Sequence, residues 1–143
     1  MKAFRLLFIS TILLHPLQAD DYIRVDDAQV VLDMKQRLMW QDDDYSSHLD
    51  LSFDKAVAYC QKLTFAGYKG WRLPEIDELR PLIMRANYPK SIAKVFQHTA
   101  SEYYWSATTY GKDFAWMIFF RDGTQEYYHK TDTNHVRCVR HIH

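Results

Sequence analysis

Gly70-Trp71-Arg72-Leu73-Pro74 is the segment from which the architecture can be read. Pro74 has a fixed backbone φ and no N–H, which suits the first turn of a helix. The acidic residues at positions 75, 77 and 78 would lie near the positive end of that helix. Pro81 interrupts the apolar pattern that follows, so we expect a kink or two short helices.

The residues before this segment predict a hairpin and then a first helix. Two apolar runs, 30–33 and 38–41, flank a four-residue turn. Ser52 is a suitable N-cap and Gly67 a suitable C-terminal residue, which predicts a helix over 53–66. Its apolar positions recur at helical spacing and place Cys60 on the buried side.

The residues after it predict an antiparallel sheet. Four aromatic and β-branched segments cover 102–108, 114–121, 124–130 and 134–139, and Asp122-Gly123 predicts a tight turn. A further helical turn is predicted over 91–96. The whole pattern indicates an α+β fold in which two N-terminal helices pack on a mainly antiparallel sheet.

Length and charge restrict the class of protein. The chain has 143 residues, of which 48% are hydrophobic and 15% aromatic, which favours one globular domain. Lys+Arg and Asp+Glu both number 18, so the net charge argues against a nucleic-acid partner. Residues 20–58 are net acidic and the remainder is net basic, which predicts a polarised surface.

Residues 1–19 have the layout of a secretory signal peptide. Lys2 and Arg5 precede an apolar run, and Ala19 precedes an acidic pair. A permanent anchor or an N-terminal core element is the alternative, but the run is too short to cross a bilayer. We therefore predict cleavage after Ala19, a domain of residues 20–143, no membrane span after cleavage, and export to the periplasm or cell surface.

Cys60 and Cys138 are the only cysteines. An exported chain with an even number of cysteines usually pairs them, so we predict one disulfide. It would join the first helix to the last strand. A redox centre or thiol nucleophile is the alternative, and the chain has no C-x-x-C motif.

Nine short motifs follow one another along the chain in the order of one known family. They are Val31-Leu32-Asp33, Leu38-Met39-Trp40-Gln41, Ala58-Tyr59-Cys60, Gly67-Tyr68, Gly70-Trp71-Arg72-Leu73-Pro74, Glu78-Leu79, Tyr104-Trp105-Ser106-Ala107-Thr108, Ala115-Trp116 and Val136-Arg137-Cys138-Val139-Arg140. Together they resemble the Lcl C-terminal domain, named after the collagen-like adhesin of Legionella. The resemblance implies a C-type-lectin-like α+β fold, related in topology to the formylglycine-generating enzymes. For the adhesin it implies binding of sulfated polysaccharide and self-association, but this sequence has no collagen-like repeat.

Several motif residues are predicted to serve the architecture. Tryptophan combines a large apolar area with an N–H that needs a partner when buried. Stacking on a sugar is the alternative, but Trp116 lies in an apolar run that predicts a core position. Arg72 is predicted to pair with a carboxylate, the alternative being an anion clamp. The predicted structural residues are Trp40, Trp71, Arg72, Pro74, Trp105, Ser106 and Trp116.

The predicted ligand-binding residues are basic and lie near the tight turn and the end of the chain. Arginine forks bind sulfate groups, and histidine adds charge below a pH of about 6.5. Strand alternation would instead scatter these residues over two faces. They are Lys112, Arg121, His129, Lys130, Arg137 and Arg140.

Catalytic and metal-binding motifs are missing from the sequence. We find no nucleophile elbow, phosphate-binding glycine loop or zincin motif, and the histidine spacing fits no standard zinc site. Asp42-Asp43-Asp44 suggests calcium but lacks EF-hand spacing.

We therefore predict an exported, non-enzymatic, adhesin-like binding module without cofactor or metal. Its expected ligand is a sulfated or acidic glycan or a surface partner. The alternatives are a structural, self-associating accessory domain that forms a homo-oligomer and, third, a formylglycine-generating-enzyme-like oxidoreductase or a hydrolase.

Overall fold

The structure, a computed structural model, describes residues 21–143, so the predicted signal peptide lies outside the described residues. These residues form three α-helices: α1 Asp44–His48, α2 Phe53–Lys62 and α3 Ile76–Leu79. They form nine strands: β1 Tyr22–Val25, β2 Val30–Asp33, β3 Leu38–Gln41, β4 Asp50–Leu51, β5 Tyr103–Tyr110, β6 Phe114–Phe119, β7 Thr124–His129, β8 Asn134–His135 and β9 Val139–His141. None of the described helices is long and apolar enough to cross a membrane.

The strands form two sheets. One has the order β1-β2-β3-β9 and the other the order β4-β8-β5-β6-β7. Neighbouring strands pair antiparallel except β5 and β8, which run parallel. The α+β class and the mainly antiparallel pairing are confirmed.

The predicted arrangement of two N-terminal helices on one sheet is wrong. Three strands precede the first helix, and α1 and α3 each have only one turn. The β2–β3 hairpin lies where it was predicted, but β3 also pairs with the last strand, β9. The chain therefore builds a second sheet from its two ends, a long-range pairing that local patterns do not reveal.

Two hydrophobic cores lie on opposite faces of β5 and β6, because successive side chains of a strand point to opposite faces. Ile118 and Phe120 belong to the first core, which includes α3 and Trp40. Trp105 and Met117 belong to the second core, which includes α2. The predicted disulfide is confirmed in the second core, where Cys60 of α2 is bonded to Cys138, directly before β9.

Local departures from the predicted elements have identifiable causes. Helix α2 ends at Lys62, and Phe65 pairs with Tyr68 across a turn in which Ala66 and Gly67 have φ of 54° and 79°. Gly67 therefore serves this tight turn and not the helix end. The predicted break at Pro81 is confirmed, since α3 is followed by a 3-10 turn over Arg80–Leu82.

The helical turn predicted over 91–96 is reduced to one hydrogen-bonded turn over 93–96, in which the N–H of Phe96 donates to the carbonyl of Ala93 at 3.1 Å. The backbone N–H of Ser91 donates to the carbonyl of Phe120 at 2.6 Å, and its hydroxyl donates to the carbonyl of Arg121 at 2.7 Å. These bonds hold the start of the segment against the end of β6. The predicted turn at Asp122-Gly123 is present, and a Cβ on Gly123 would lie 2.6 Å from Cγ2 of Ile83. Only glycine fits this close approach without displacement.

Candidate functional site

Three of the four tryptophans are buried in the two cores, as expected of structural residues. Trp40, Trp71 and Trp105 are 0%, 2% and 0% exposed. The indole of Trp71 donates to the carbonyl of Tyr68 at 3.0 Å, and that of Trp105 to the carbonyl of Leu51 at 2.8 Å. Each of these two bonds fixes a loop or short strand to the sheet, whereas the indole N–H of Trp40 is buried without a partner among the described residues.

Trp116 departs from the predicted core position. It is half-buried, because one side packs on the first core and the other lies in an exposed group of aromatic rings. Ser106 and Pro74 are buried and have structural roles. Ser106 donates to the carbonyl of Trp116 at 2.7 Å beside a bulge in β5, and Pro74 accepts from Ala107 at 2.7 Å.

Arg72 forms a two-pronged ion pair with Glu78, at 2.6 and 2.7 Å. The bond to Glu78 raises the pKa of Arg72, despite the opposing effect of burial. For Glu78 burial alone would raise the pKa, but Arg72 and the N–H of Glu75 hold it below its usual value. Arg72 is therefore bound to Glu78 in α3, and its predicted pairing with a carboxylate is confirmed.

Arg137 lies in a buried ion-pair centre and not on the ligand-binding surface predicted for it. Its side chain is 0% exposed and lies 2.8 Å from Asp42. It also donates to the carbonyls of Gln41 and His98 at 2.6 and 2.7 Å and to the hydroxyl of Thr99 at 2.7 Å. A glycan cannot reach this guanidinium, so the prediction for Arg137 is corrected.

Asp42 is the acidic partner of that centre. It also pairs with Arg24 and accepts from the N–H groups of Gln97 and His98. Burial would raise its pKa, but Arg137 and these N–H donors hold the pKa below its usual value. Asp43 caps α1. The aspartate run is thus used in the fold, and residues 21–143 contain no group of three side chains suited to a metal.

The other predicted ligand residues do not converge on one patch. Arg140 donates to the carbonyl of Lys69 and lies 4.3 Å from the ring of Tyr68. Lys130 donates to the carbonyl of Lys112 at 2.9 Å. Lys112 and His129 are exposed at the open end of the β6–β7 hairpin, and Arg121 is exposed at its closed end. The two ends are separated by the six residues of β7, or about 20 Å.

Arg121 borders a basic cleft that the sequence patterns did not predict. The cleft has a volume of about 390 Å³. Its lining residues are Ala86, Asn87, Tyr88, Lys90, Ile92, Ala93, Lys94 and Phe96. The guanidinium of Arg121 donates to the hydroxyl of Tyr88 at 3.4 Å and lies 5.9 Å from the centre of its ring. The hydrogen bond to Tyr88 raises the pKa of Arg121, which therefore stays charged.

The cleft is cationic and rigidly attached. Lys90 and Lys94 are exposed, and neither pairs with a carboxylate of residues 21–143. Glu102 and Asp122 lie near Arg121 and offset part of its charge. Ser91, directly after Lys90, is 0% exposed and bonded to the end of β6, which fixes the lysine backbone against the sheet.

One sequence signal could have located this cleft. Residues 80–101 contain four arginines and lysines but no aspartate or glutamate. The basic residues predicted from the sequence lie instead near the tight turn and the end of the chain. The structure brings the turn and the acid-free segment together at Ser91 and Arg121.

The family comparison agrees with the motifs quoted from the sequence. The model of the Lcl C-terminal domain matches residues 29–140, nearly all of the described chain. This family is associated with surface adhesins, and the match indicates an adhesin-like accessory module. No curated protein matches the chain. The chain belongs to the Lcl C-terminal domain family.

Proposed function

We propose that this chain is an exported, non-enzymatic module that binds a sulfated or acidic glycan in the basic cleft. The observation that supports this most is the grouping of three exposed cations, Lys90, Lys94 and Arg121, around an exposed tyrosine. An arginine fork matches sulfate and carboxylate geometry, and lysines add unoriented positive charge. A C-type-lectin-like topology is part of this proposal.

The ring of Tyr88 adds a second kind of contact. It is 58% exposed and lines the cleft together with two lysines and the buried apolar residues Ile92 and Phe96. A saccharide presents apolar C–H faces as well as charged groups, so one sugar unit can contact both the ring and the cations. The cleft is therefore better suited to an acidic sugar than to a free inorganic anion.

The decisive experiment is binding of heparin oligosaccharides at increasing salt. We expect retention on a heparin column that falls with ionic strength, since exposed charges are screened. The triple variant Lys90→Ala, Lys94→Ala, Arg121→Ala should lose at least about tenfold in affinity, equivalent to about 1.4 kcal/mol. Retention that is absent or insensitive to salt would contradict the proposal.

A matched control removes the same charge elsewhere. Lys35, Lys55 and Lys62 are exposed, and two of them lie on α2, which packs on the opposite face of the sheet from the first core. Their triple alanine variant should bind within about twofold of the unmodified protein if contact and not net charge decides affinity. Equal losses of heparin affinity in both triple variants would show that net charge, and not contact in the cleft, decides binding.

Self-association is a second candidate, favoured by the outer edge of β7, which pairs with no other strand of residues 21–143. This strand is last in its sheet and has six residues, five of them exposed. An unpaired edge can accept a strand from another copy. Sedimentation from nanomolar to micromolar concentration tests it, and an oligomer that persists at nanomolar concentration would favour this candidate.

A further inference from the structure

Four aromatic side chains form one exposed surface at the open end of the β6–β7 hairpin, far from the basic cleft. We call this the aromatic platform: Tyr110, Phe114, Trp116 and Tyr127. Tyr110 is opposite Phe114 in the β5–β6 pairing, and Trp116 is opposite Tyr127 in the β6–β7 pairing. Phe114 and Trp116 are two residues apart on one strand, so all four rings lie on the same face of the sheet.

The rings are held in a fixed arrangement. Tyr110 and Tyr127 stack at 4.5 Å with an angle of 26° between their planes. Trp116 and Phe114 meet Tyr127 edge-on, at 5.0 and 5.6 Å. Tyr110 and Tyr127 nevertheless remain 51% and 44% exposed. The platform is a preorganised apolar surface, which loses little conformational entropy when a ligand binds.

Polar and charged groups border the platform. The imidazole of His129 lies 4.4 Å from the ring of Phe114, and Lys112 is exposed in the turn that joins β5 to β6. On the same strand face as Tyr127, Gln125 accepts from Arg80 at 2.7 Å. An apolar centre with a cationic border complements a ligand that has an apolar face and acidic or hydroxyl groups at its edge.

We propose that the aromatic platform binds a pyranose ring of an acidic polysaccharide, which packs on the exposed parts of the stacked pair Tyr110 and Tyr127. Lys112 and His129 would then meet the carboxylate, sulfate or hydroxyl groups at the edge of the sugar. The inference rests on the glycan-binding function proposed above but concerns a separate site.

The platform and the cleft lie toward opposite ends of one hairpin, since Phe114 begins β6 and Arg121 lies in the turn after that strand, about 20 Å away. A polysaccharide long enough to reach both would bind the second site at high effective concentration. A short fragment would occupy only one site. The favoured ligand is therefore an extended acidic polysaccharide, and its affinity should rise once a fragment spans the two ends.

The chain offers a matched pair of variants for the test. Tyr127 and Tyr128 are neighbours on β7 and are 44% and 38% exposed, but they point to opposite faces. Tyr127→Ala should weaken binding of long heparin fragments about tenfold, and Tyr128→Ala should stay within about twofold. Thermal unfolding of both variants controls for the loss of a strand tyrosine.

Tryptophan fluorescence provides a second readout, because Trp116 is half-buried whereas the other three tryptophans are at most 2% exposed. Titration of the unmodified protein with tetra- to dodecasaccharides of heparin should change the emission of Trp116 and show affinity that rises with length.

Equal losses for Tyr127→Ala and Tyr128→Ala, or affinity independent of length, would overturn the inference while cleft binding stands. No heparin binding at all would overturn the proposed function as well. If Tyr127→Ala changed the oligomeric state but not fragment binding, the platform would be a contact between copies, and the inference would be wrong.

Discussion

Arg137 and Arg121 have the same side chain and similar aromatic neighbours but opposite surroundings. Arg137 lies 4.9 Å from the ring of Phe96 and 5.8 Å from that of Tyr104, and Arg121 lies 5.9 Å from that of Tyr88. Phe96 contacts the buried centre and also lines the basic cleft. The two arginines thus lie close to one segment, but Arg137 is buried whereas Arg121, for which we propose ligand binding, is exposed.

The difference lies in what each guanidinium bonds to. Arg137 is held by two backbone carbonyls, one carboxylate and one hydroxyl, all close to the middle of the fold. Arg121 has one long hydrogen bond, to a tyrosine hydroxyl, and leaves most of its fork free. A ligand-binding cation needs this second condition, because a sulfate can reach only an exposed fork, whereas both Nη groups of Arg137 are bonded and its Nε is buried without a partner among the described residues.

Replacing Arg137 should have the largest effect. Arg137→Met leaves Asp42 buried with only Arg24 as a charged partner, and breaking a buried pair in this way costs about 3–5 kcal/mol. The free energy of unfolding from urea titration measures it. A loss below about 1 kcal/mol would mean that the buried centre contributes little and that burial does not separate the two arginines.

The disulfide supports the same buried region, since Cys138 directly follows Arg137. Removing a native disulfide from a small domain costs about 2–5 kcal/mol. Cys60→Ala with Cys138→Ala should therefore lower the midpoint of urea unfolding strongly, and reduction of the unmodified protein should do the same. The fraction that stays folded should still bind heparin, because the cleft lies on the other core. Loss of binding in the folded fraction would show that the two regions are coupled.

Local sequence patterns predicted the elements better than their assembly. The β2–β3 hairpin, α2 as far as Lys62 and the break at Pro81 follow from turn residues and helical spacing within a few positions. The pairing of β3 with β9 joins residues about a hundred positions apart, and no local pattern contains that information. The burial of Arg137 belongs to the same class, since its partners lie 38 to 96 residues away.

Acid should lower the stability of the fold, because it protonates the carboxylates that pair with Arg137 and Arg72. Asp42 and Glu78 have lowered pKa values in the folded state, so the stability from their ionisation is complete above the unfolded carboxyl pKa of about 4. It is lost as the pH falls through the lower folded-state values, because the unfolded chain takes up protons first. Urea midpoints at pH 7, 5, 4 and 3 should fall steeply below about pH 4.

Glu78→Gln provides the control for this acid effect. The variant removes one of the two carboxylates, so the drop in stability between neutral and low pH should be smaller. The part of the drop that Asp42 causes should remain. Stability that is constant or rises between pH 5 and pH 3 in the unmodified protein would contradict the lowered pKa values. Heparin binding near neutral pH should not change in this variant, because Glu78 does not line the cleft.

The candidate site could be predicted only in part. Arg121 flanks a recognisable turn and is among the predicted ligand residues, but Lys90 and Lys94 lie in an irregular segment that no local pattern marked as a binding surface. The predicted position of Trp116 differs from the observed one for another reason. Its apolar neighbours predicted a core position, whereas the register of the Asp122-Gly123 hairpin places it opposite Tyr127 on a partly exposed face. Applying that register to the aromatic positions would have indicated the platform.

Arg121→Met should change stability least, by no more than about 0.5 kcal/mol, because the side chain is exposed and has one weak partner. The same variant should nevertheless weaken heparin binding several-fold, and Arg121→Lys should restore only part of it, since lysine keeps the charge but not the fork. Full recovery with lysine would show that charge alone recruits the glycan. If Arg121→Met instead unfolded the protein as readily as Arg137→Met, exposure would no longer distinguish the two arginines, and the cleft would be part of the architecture.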